Sequence, residues 1–283
     1  MAINTGAVGR TYPSSTYLVT AEAIRAYAAA TNEDNPVFTG ADPVAPPAFP
    51  VVPGASILAA ALFDPELGVN LARLVHGEED HRLHVPIRPG DQLAVAGSLE
   101  AVDIKETGET FTVYTSLTNQ DGVLAAELRS MMFVRGSGSR SRAAGAGEAA
   151  PQPELAFSAV QKVDEDQTYR YAEASGDHNP IHTDPEFARN AAGLPGIILH
   201  GMATMAFAGK VILDEACAGD PARLQRLKVR FSKPVFPGET LTTRVWLAPG
   251  GASGGVVTYE FETLNTRGSA VLKNGIAEVR EGG

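Results

Sequence analysis

Hydrophobic and polar residues follow each other in the same order in the two halves of this chain. In the second half, residues 164–174 have the spacing of a helix, with acidic residues in the first turn and Gly176 just beyond its end. The segment 200–219 is apolar on nearly every face, which predicts a helix that is buried on all sides. In the first half the same order predicts one helix near 21–30 and another near 54–63.

Strands are predicted after the buried helix of each half. Between the two helices of the second half, Thr183 or Asp184 can cap a further short helix with Pro185 at its first position. Four apolar runs separated by Pro-Gly and Gly-rich turns then predict strands at about 223–233, 239–248, 255–264 and 270–281. The first half has comparable strand patterns from about 82 to 135.

Direct sequence similarity shows that the two halves are a tandem repeat. "AYAAATNEDNPVF" (26–38) aligns with "RYAEASGDHNPIH" (170–182) at an offset of 144 residues. "VVPG" (51–54) aligns with "ILHG" (198–201) at 147, and "VPIRPGDQL" (85–93) aligns with "SKPVFPGETL" (232–241) at 148. Three blocks in one order with slowly growing offsets indicate a duplication.

The composition between the halves indicates where the two domains meet. Residues 136–153 are poor in apolar side chains and rich in Gly, Ser, Ala and Pro, which predicts a flexible linker. We therefore expect an N-terminal domain over 1–135 and a C-terminal domain over 154–283. A buried helix followed by an antiparallel sheet, twice over, predicts an α+β fold in which each sheet wraps its helix. The two sheets could join edge to edge, which would also cover exposed strand edges.

Charge and composition exclude several classes of protein. The net charge is −10, with 33 acidic against 23 basic residues, so nucleic acid is not expected to be the main partner. Cys217 is the single cysteine, and no Cys/His spacing resembles a zinc site. The longest stretch without a charged residue, Asn190 to Gly209, is interrupted by Pro195 and is interpreted as core rather than as a membrane span. With no apolar secretion signal at the N-terminus, the protein is expected to be cytoplasmic.

The stretch "SGDHNPIHTD" (175–184) contains the candidate chemistry. Its twin in the first half, "TNEDNPVFTG", keeps the Asn-Pro pair but has Glu33 and Phe38 where the second half has Asp177 and His182. This contrast indicates a turn that exists in both halves and a chemistry that exists in one. A carboxylate and an imidazole that share one water or one substrate proton are a plausible general acid/base pair, worth roughly 10²–10⁴-fold in rate.

The start of the buried helix supplies a second candidate element. At His200, Gly201 and Met202 the helix N-terminus leaves free backbone N–H groups and the positive end of the helix dipole. A glycine there lets a substrate carbonyl approach the backbone closely. An oxyanion held at this place would gain about 3–4 kcal/mol per donor, by analogy with other oxyanion holes. Base, acid and oxyanion site together suit proton chemistry next to a thioester carbonyl, and His200 is expected to support the helix start rather than to react.

The pattern "YAEASGDHNPIHTDPEFA…GIILHGM" over residues 171–202 resembles the signature of the MaoC-like dehydratases, the (R)-specific enoyl-CoA hydratase (hydratase 2) family. A duplicated chain with a degenerate first copy resembles its double-hotdog members. The resemblance implies reversible hydration of trans-2-enoyl thioesters to (R)-3-hydroxyacyl thioesters. It implies that Asp177 and His182 activate water, that the Gly201 N–H binds the oxyanion, and that Asn179 supports the turn.

The resemblance further implies one active site per chain and no metal or redox cofactor, with coenzyme A or carrier-protein phosphopantetheine as part of the substrate. The first half departs from the family pattern at Glu33, Phe38 and Pro53, the last of which stands opposite His200. It is therefore expected to act as scaffold, with the proline-rich segment 41–54 shaping an acyl-chain groove that a large residue at Ala48 would fill. The two halves mimic a dimer of single-hotdog chains, so the protein is expected to be a monomer or a homodimer.

Other features leave alternatives open. Five basic residues could meet the phosphates of coenzyme A or an acidic carrier protein, or could form a solvated strand face; they are Arg223, Arg226, Lys228, Arg230 and Lys233. Three histidines (His76, His81 and His84) suggest a metal site, but no carboxylate spacing supports one. The competing functions are a hotdog acyl-thioesterase, in which a carboxylate activates water against the carbonyl, and a non-catalytic acyl-thioester-binding subunit.

Overall fold

The computed structural model describes residues 2–136 and 154–282. The strands, in chain order, are β1 (Thr11–Leu18), β2 (Leu74–Leu83), β3 (Gln92–Lys105), β4 (Gly108–Thr118), β5 (Leu124–Arg135), β6 (Phe157–Lys162), β7 (Leu224–Phe231), β8 (Thr240–Ser253), β9 (Val256–Leu264) and β10 (Ala270–Arg280). The helices are α1 (Ala21–Ala30), α2 (Pro36–Thr39), α3 (Val51–Leu62), α4 (Gln167–Ser175), α5 (Pro180–Thr183), α6 (Pro185–Asn190) and α7 (Gly201–Ala216). The predicted linker falls, apart from residue 136, outside the described residues.

A single antiparallel sheet of ten strands runs through both halves in the order β1-β3-β4-β5-β2-β7-β10-β9-β8-β6. The first five strands of this order come from the first half and the last five from the second, and the two sets mirror each other. They meet where β2 pairs with β7 in antiparallel register. The expected tandem α+β fold and the edge-to-edge joining of its sheets are both confirmed.

A pseudo-two-fold axis relates the halves. Asp80 pairs with Lys228 at the centre of the β2–β7 seam, and these two residues are equivalent at the repeat offset of 148. The hydroxyl oxygens of Tyr27 and Tyr171, which are equivalent at the offset of 144, lie 3.4 Å apart where α1 packs on α4. Residues that face each other across this axis can therefore be compared one by one.

Each five-stranded half of the sheet wraps the long helix of its own half of the chain. Helix α7 buries ten of its sixteen residues, among them Phe207, Ile212 and Leu213, as its almost uniformly apolar sequence predicts. Each such side chain contributes on the order of 1.5–3 kcal/mol when it is removed from water. Helix α7 ends because Ala218 and Gly219 both adopt left-handed backbone, at φ 53° and φ 78°. The burial of α7 fixes the position of its first residue, Gly201.

Several element boundaries differ from the prediction. Strands β1 and β6 were missed, and so was the beginning of β2, because most side chains of the two edge strands are exposed or half-buried and β2 is rich in charged residues. Helix α4 begins at Gln167 rather than at 164, since Asp166 is its N-cap. Helix α3 begins at Val51, and Pro53 fits because the N–H groups of a first turn have no intrahelical partner. No helix within the described residues is long and apolar enough to cross a membrane.

Candidate active site

A ladder of side-chain to backbone hydrogen bonds builds the loop that follows α4. Gly176 ends the helix in left-handed backbone at φ 76°, a conformation that glycine adopts without strain. Asp177 Oδ1 then accepts a hydrogen bond from the Asn179 N–H at 3.1 Å, and Asn179 Oδ1 accepts from the Ile181 N–H at 3.3 Å. Pro180 starts the short helix α5, which carries His182. This segment thus folds into a bend at Asn179 and Pro180, with the Asp177 carboxylate before the bend in the chain and the His182 imidazole after it.

The twin loop of the first half has the same bend. Glu33 Oε1 accepts from the Asn35 N–H at 3.1 Å, and Asn35 Oδ1 accepts from the Val37 N–H at 3.0 Å. The predicted sharing of the turn is confirmed. The environment differs, however, because Glu33 is buried and binds Lys210 Nζ at 3.2 Å, whereas Asp177 is exposed.

His182 has one ring nitrogen committed and one available. Its Nδ1 lies 2.7 Å from the carbonyl oxygen of Ile198, which can only accept, so Nδ1 carries the proton and Nε2 is the basic nitrogen. Burial lowers the pKa of His182 below its usual value, although the Ile198 carbonyl and the Asp177 carboxylate oppose this shift. A neutral imidazole with a fixed tautomer is what a general base needs at neutral pH.

His200 lies directly against His182 and supports the loop. The two rings stack with centroids 3.7 Å apart and planes 24° from parallel. His200 Nε2 donates a hydrogen bond to the backbone carbonyl of Asp177 at 2.9 Å, and Nδ1 finds no partner among the described residues. Burial, together with repulsion from His182, lowers the pKa of His200 to about 4. His200 therefore holds the loop that follows α4 and the neighbouring His182 ring, and its supporting rather than reactive role stays a prediction.

Gly201 opens α7 with its backbone N–H groups uncapped. Within the described part of the chain, no side chain hydrogen-bonds to this helix end. A β-carbon built on Gly201 would lie 3.1 Å from a ring carbon of Phe231, so the glycine packs edge-on against that ring. Met202 directs its side chain into the core, so its contribution at this end is its backbone N–H.

The structure brings three of the predicted residues to one place. A carboxylate oxygen of Asp177 and one ring nitrogen each of His182 and His200 lie within 4.8 Å of one another, at the start of α7. An exposed carboxylate, a neutral imidazole and uncapped helix N–H groups can together position water and stabilise a developing oxyanion. The three atoms are also of the kinds that can bind a metal ion. That the site works without a metal stays a prediction.

The predicted basic cluster does not act as one surface. Arg226 binds Asp80 at 2.7 Å and Glu278 at 2.8 Å across the seam, and Lys228 binds Glu78 at 3.3 Å. Arg223 donates to the backbone carbonyl of Arg280. Of the two alternatives left open for these residues, phosphate contact is less favoured for these three, because groups on β2 and β10 already bind them and sequence spacing does not reveal such partners. Arg230 and Lys233 are exposed.

One buried cluster was misinterpreted from the sequence. The carboxylate of Glu79 accepts hydrogen bonds from His76 Nε2 at 2.8 Å and from His81 Nε2 at 3.0 Å, and it is fully buried. The sequence does contain a carboxylate between these histidines, and the alternation of β2 was the signal that could have found it. His84 binds Glu127 instead. Ala48 is 2% exposed, so a large residue there would disturb the core and would not report cleanly on a groove.

Comparison with known families adds independent information on both halves. A family described as "MaoC like domain" matches residues 147–264, and one described as "FAS1-like, dehydratase domain region" matches residues 6–128. A MaoC-like dehydratase from Phytophthora capsici superposes with a TM-score of 0.81 at 28% identity, over 99% of this chain and 98% of that one.

Curated relatives have names that agree with these families. The 3-hydroxyacyl-thioester dehydratase Y of Mycobacterium tuberculosis is 37% identical over 187 residues, which are 62% of this chain and 63% of the relative. The peroxisomal enoyl-CoA hydratase 2 of Arabidopsis thaliana is 33% identical over 198 residues, which are 65% of this chain and 62% of the relative. The matched segments thus span less than two thirds of the length of these two relatives.

Proposed function

Since the chain belongs to the MaoC-like dehydratase family and has the double-hotdog fold, we propose that it catalyses the reversible hydration of trans-2-enoyl thioesters to (R)-3-hydroxyacyl thioesters. The observation that supports this most is the meeting of an exposed carboxylate and a neutral imidazole of fixed tautomer at an uncapped helix N-terminus. Only the second half has both side chains, so residues 154–283 are the proposed catalytic domain. The first half, 1–135, is the proposed scaffold.

The proposed chemistry moves one water molecule across the double bond. The Asp177 carboxylate and His182 Nε2 hold the water, and one of them takes its proton while the oxygen bonds to C3. The electron pair of the double bond shifts toward the thioester oxygen, whose negative charge the Gly201 N–H stabilises. The proton then returns to C2, and the reverse sequence is dehydration. Water supplies both new groups and no electrons are transferred to or from the substrate, so the reaction as proposed needs no redox cofactor.

The two exposed cations are proposed to contact the carrier part of the substrate. Arg230 directly precedes Phe231, the last residue of β7, and Lys233 follows the strand with its Nζ 3.0 Å from Ser269 Oγ. Both can reach phosphate groups of coenzyme A or of a carrier-bound phosphopantetheine without breaking an ion pair. The acyl chain is proposed to extend toward the first half, whose α3 lies across the pseudo-two-fold axis from α7.

One assay tests the proposed reaction. The protein is incubated with a short trans-2-enoyl-CoA while the conjugated thioester absorbance and the free thiol are followed in parallel. We expect loss of absorbance without thiol release, since water adds at C3 and the thioester stays intact. Thiol release would instead indicate a thioesterase, and no change of either signal would indicate a binding role.

Two variants test the assigned residues. Asp177→Asn and His182→Ala should each lower kcat/KM for hydration by about 10²-fold or more, because each removes one member of the acid/base pair. His178→Ala is the matched control, since His178 is exposed on the same loop and forms, among the described residues, one ion pair, with Glu173 at 3.8 Å. Near wild-type hydration by Asp177→Asn or His182→Ala would refute the mechanism.

A further inference from the structure

Three side chains, His81, Glu79 and His76, form a hydrogen-bond chain that crosses the interior of the first half. Its His76 end lies close to the proposed active site. His81 Nδ1 lies 3.3 Å from the carbonyl oxygen of Pro47, and its Nε2 lies 3.0 Å from Glu79 Oε1. Glu79 Oε2 in turn accepts from His76 Nε2 at 2.8 Å. Glu79 and His81 are fully buried, whereas the His76 side chain keeps 21% of its surface exposed.

The hydrogen bonds fix the charge at the centre of this chain. Burial alone would raise the pKa of Glu79, but the hydrogen bonds and the charges of His76 and His81 outweigh it and hold the pKa at about 2. Glu79 is therefore an ionised carboxylate in the core. Such an arrangement contributes little net stability, because desolvation offsets most of the attraction.

The second half shows that the fold does not require this charged chain. At the offset of 148 that the β2–β7 register defines, Leu227 and Val229 replace Glu79 and His81. Both are buried in the core, as their counterparts are. The same strand of the same fold is thus built once with an apolar pair and once with a charged one, and stability alone does not account for the difference.

His76, the exposed end of this hydrogen-bond chain, is connected to Gly201 through the side chain of Phe231. The His76 ring packs on the Phe231 ring at a centroid distance of 4.6 Å. The Phe231 ring packs tightly against Gly201, with ring carbons 3.1 Å and 3.2 Å from the position that a β-carbon would take. The order of contacts is Glu79, His76, Phe231 and Gly201, and it crosses from the first half into the second at the β2–β7 seam.

We propose that His76 is a positioning residue for the oxyanion site, held by Glu79 and His81, and that it braces Phe231 against Gly201. The first half then contributes to the reaction through this brace and is more than scaffold. The inference rests on the proposed hydratase function and adds a residue to the same site. A brace of this kind acts on kcat, because the oxyanion forms only as the reaction proceeds.

The test compares folded variants by steady-state kinetics with a short enoyl-CoA. His76→Ala removes the brace, Phe231→Leu removes the ring that it holds, and Glu79→Leu/His81→Val copies the apolar pair of the second half. We expect each to lower kcat about tenfold while KM stays within twofold, since small displacements at a reacting centre are costly. His84→Ala is the matched control: this histidine also pairs with a glutamate, Glu127, and is expected to keep wild-type kcat.

A second measurement does not depend on turnover. In spectra of ¹⁵N-glycine-labelled protein, with the Gly201 amide assigned by Gly201→Ala, this signal should shift in His76→Ala and Phe231→Leu and stay in place in His84→Ala. If the wild type hydrates no enoyl thioester, the proposed function is refuted. The response of the Gly201 amide then still tests whether His76 holds Phe231 against Gly201. An unmoved amide overturns the proposal, and so does a kcat within twofold of the wild type in an active, folded His76→Ala. A variant whose melting temperature falls while its kcat and its Gly201 amide signal stay unchanged also overturns the proposal.

Discussion

At the scale of single residues, environment decides what each ionisable group can do. Asp177 and Glu33 occupy equivalent positions in equivalent loops, but Asp177 faces solvent beside an imidazole, while Glu33 is buried against Lys210. Burial raises the pKa of Glu33, although Lys210 opposes this rise. His182 is protonated on Nδ1 by its contact with the Ile198 carbonyl, which leaves Nε2 basic. The same turn therefore carries the proposed acid/base pair in one half and a structural ion pair in the other.

The protonation of His182 gives a prediction in pH. Burial places its folded-state pKa below 6.5, so the imidazole stays neutral, and usable as a base, to lower pH than a free histidine. The imidazole ¹H and ¹³C shifts of the wild type, assigned by comparison with His182→Ala, should titrate with a midpoint below 6.5. The acid limb of kcat/KM should also lie below that value. A midpoint at 6.5 or above would contradict the assigned burial and its effect.

At the scale of elements, the two long helices differ in the residue that we expect each to direct toward the loop of the other half. Lys210 in α7 reaches across the axis to Glu33, and its counterpart at the offset of 147 is Phe63, directly after α3. The Phe63 N–H still bonds to the Ala59 carbonyl, so this residue continues the helical path, and it is 71% exposed. From the symmetry of the two halves we expect the Phe63 side chain to lie on the side of Asp177, where the other half has a cation beside Glu33.

This asymmetry predicts the effect of Phe63→Lys. The new ammonium should bind Asp177 as Lys210 binds Glu33, and it should lower kcat/KM for hydration about tenfold by occupying the carboxylate that holds the water. Phe63→Met is the control, because it keeps an apolar side chain of similar reach. The kinetics are measured with a short enoyl-CoA at low ionic strength. Equal activity of the lysine and methionine variants would show that Phe63 does not face Asp177.

At the scale of the whole molecule, the seam makes one body of the two halves. Five residue pairs of β2 and β7 are in register, from Glu78–Arg230 to Arg82–Arg226. Next to the seam, Gln167 Nε2 donates to the Ala30 carbonyl at 2.6 Å, and Arg226 binds Asp80. The chain thus has the internal arrangement of a dimer, with the covalent connection as one of several links.

These contacts predict that the halves stay together when the chain is cut. A protease site is inserted between residues 144 and 145, cleavage is confirmed under denaturing conditions, and the product is analysed by size-exclusion chromatography. We expect the cleaved protein to elute with the uncut protein and to keep its hydration rate, because both sheets remain paired at the seam. Two separate species of half the mass would show that the connection, and not the seam, holds the halves.

The linear sequence was enough to predict the duplication, the fold class and the shared Asn-Pro turn, and to propose the residues Asp177, His182 and Gly201. These features are local or repetitive: capping chemistry, apolar periodicity and the offset between copies are all legible along one chain. The tertiary structure alone decided which charges are neutralised, since the partners of Arg226 lie 146 and 52 residues away along the chain. It also decided that Glu79 joins His76 and His81, and that Phe231 meets both His76 and Gly201. Pairing of distant strands sets such contacts, and neither residue type nor spacing within one segment encodes that pairing in readable form.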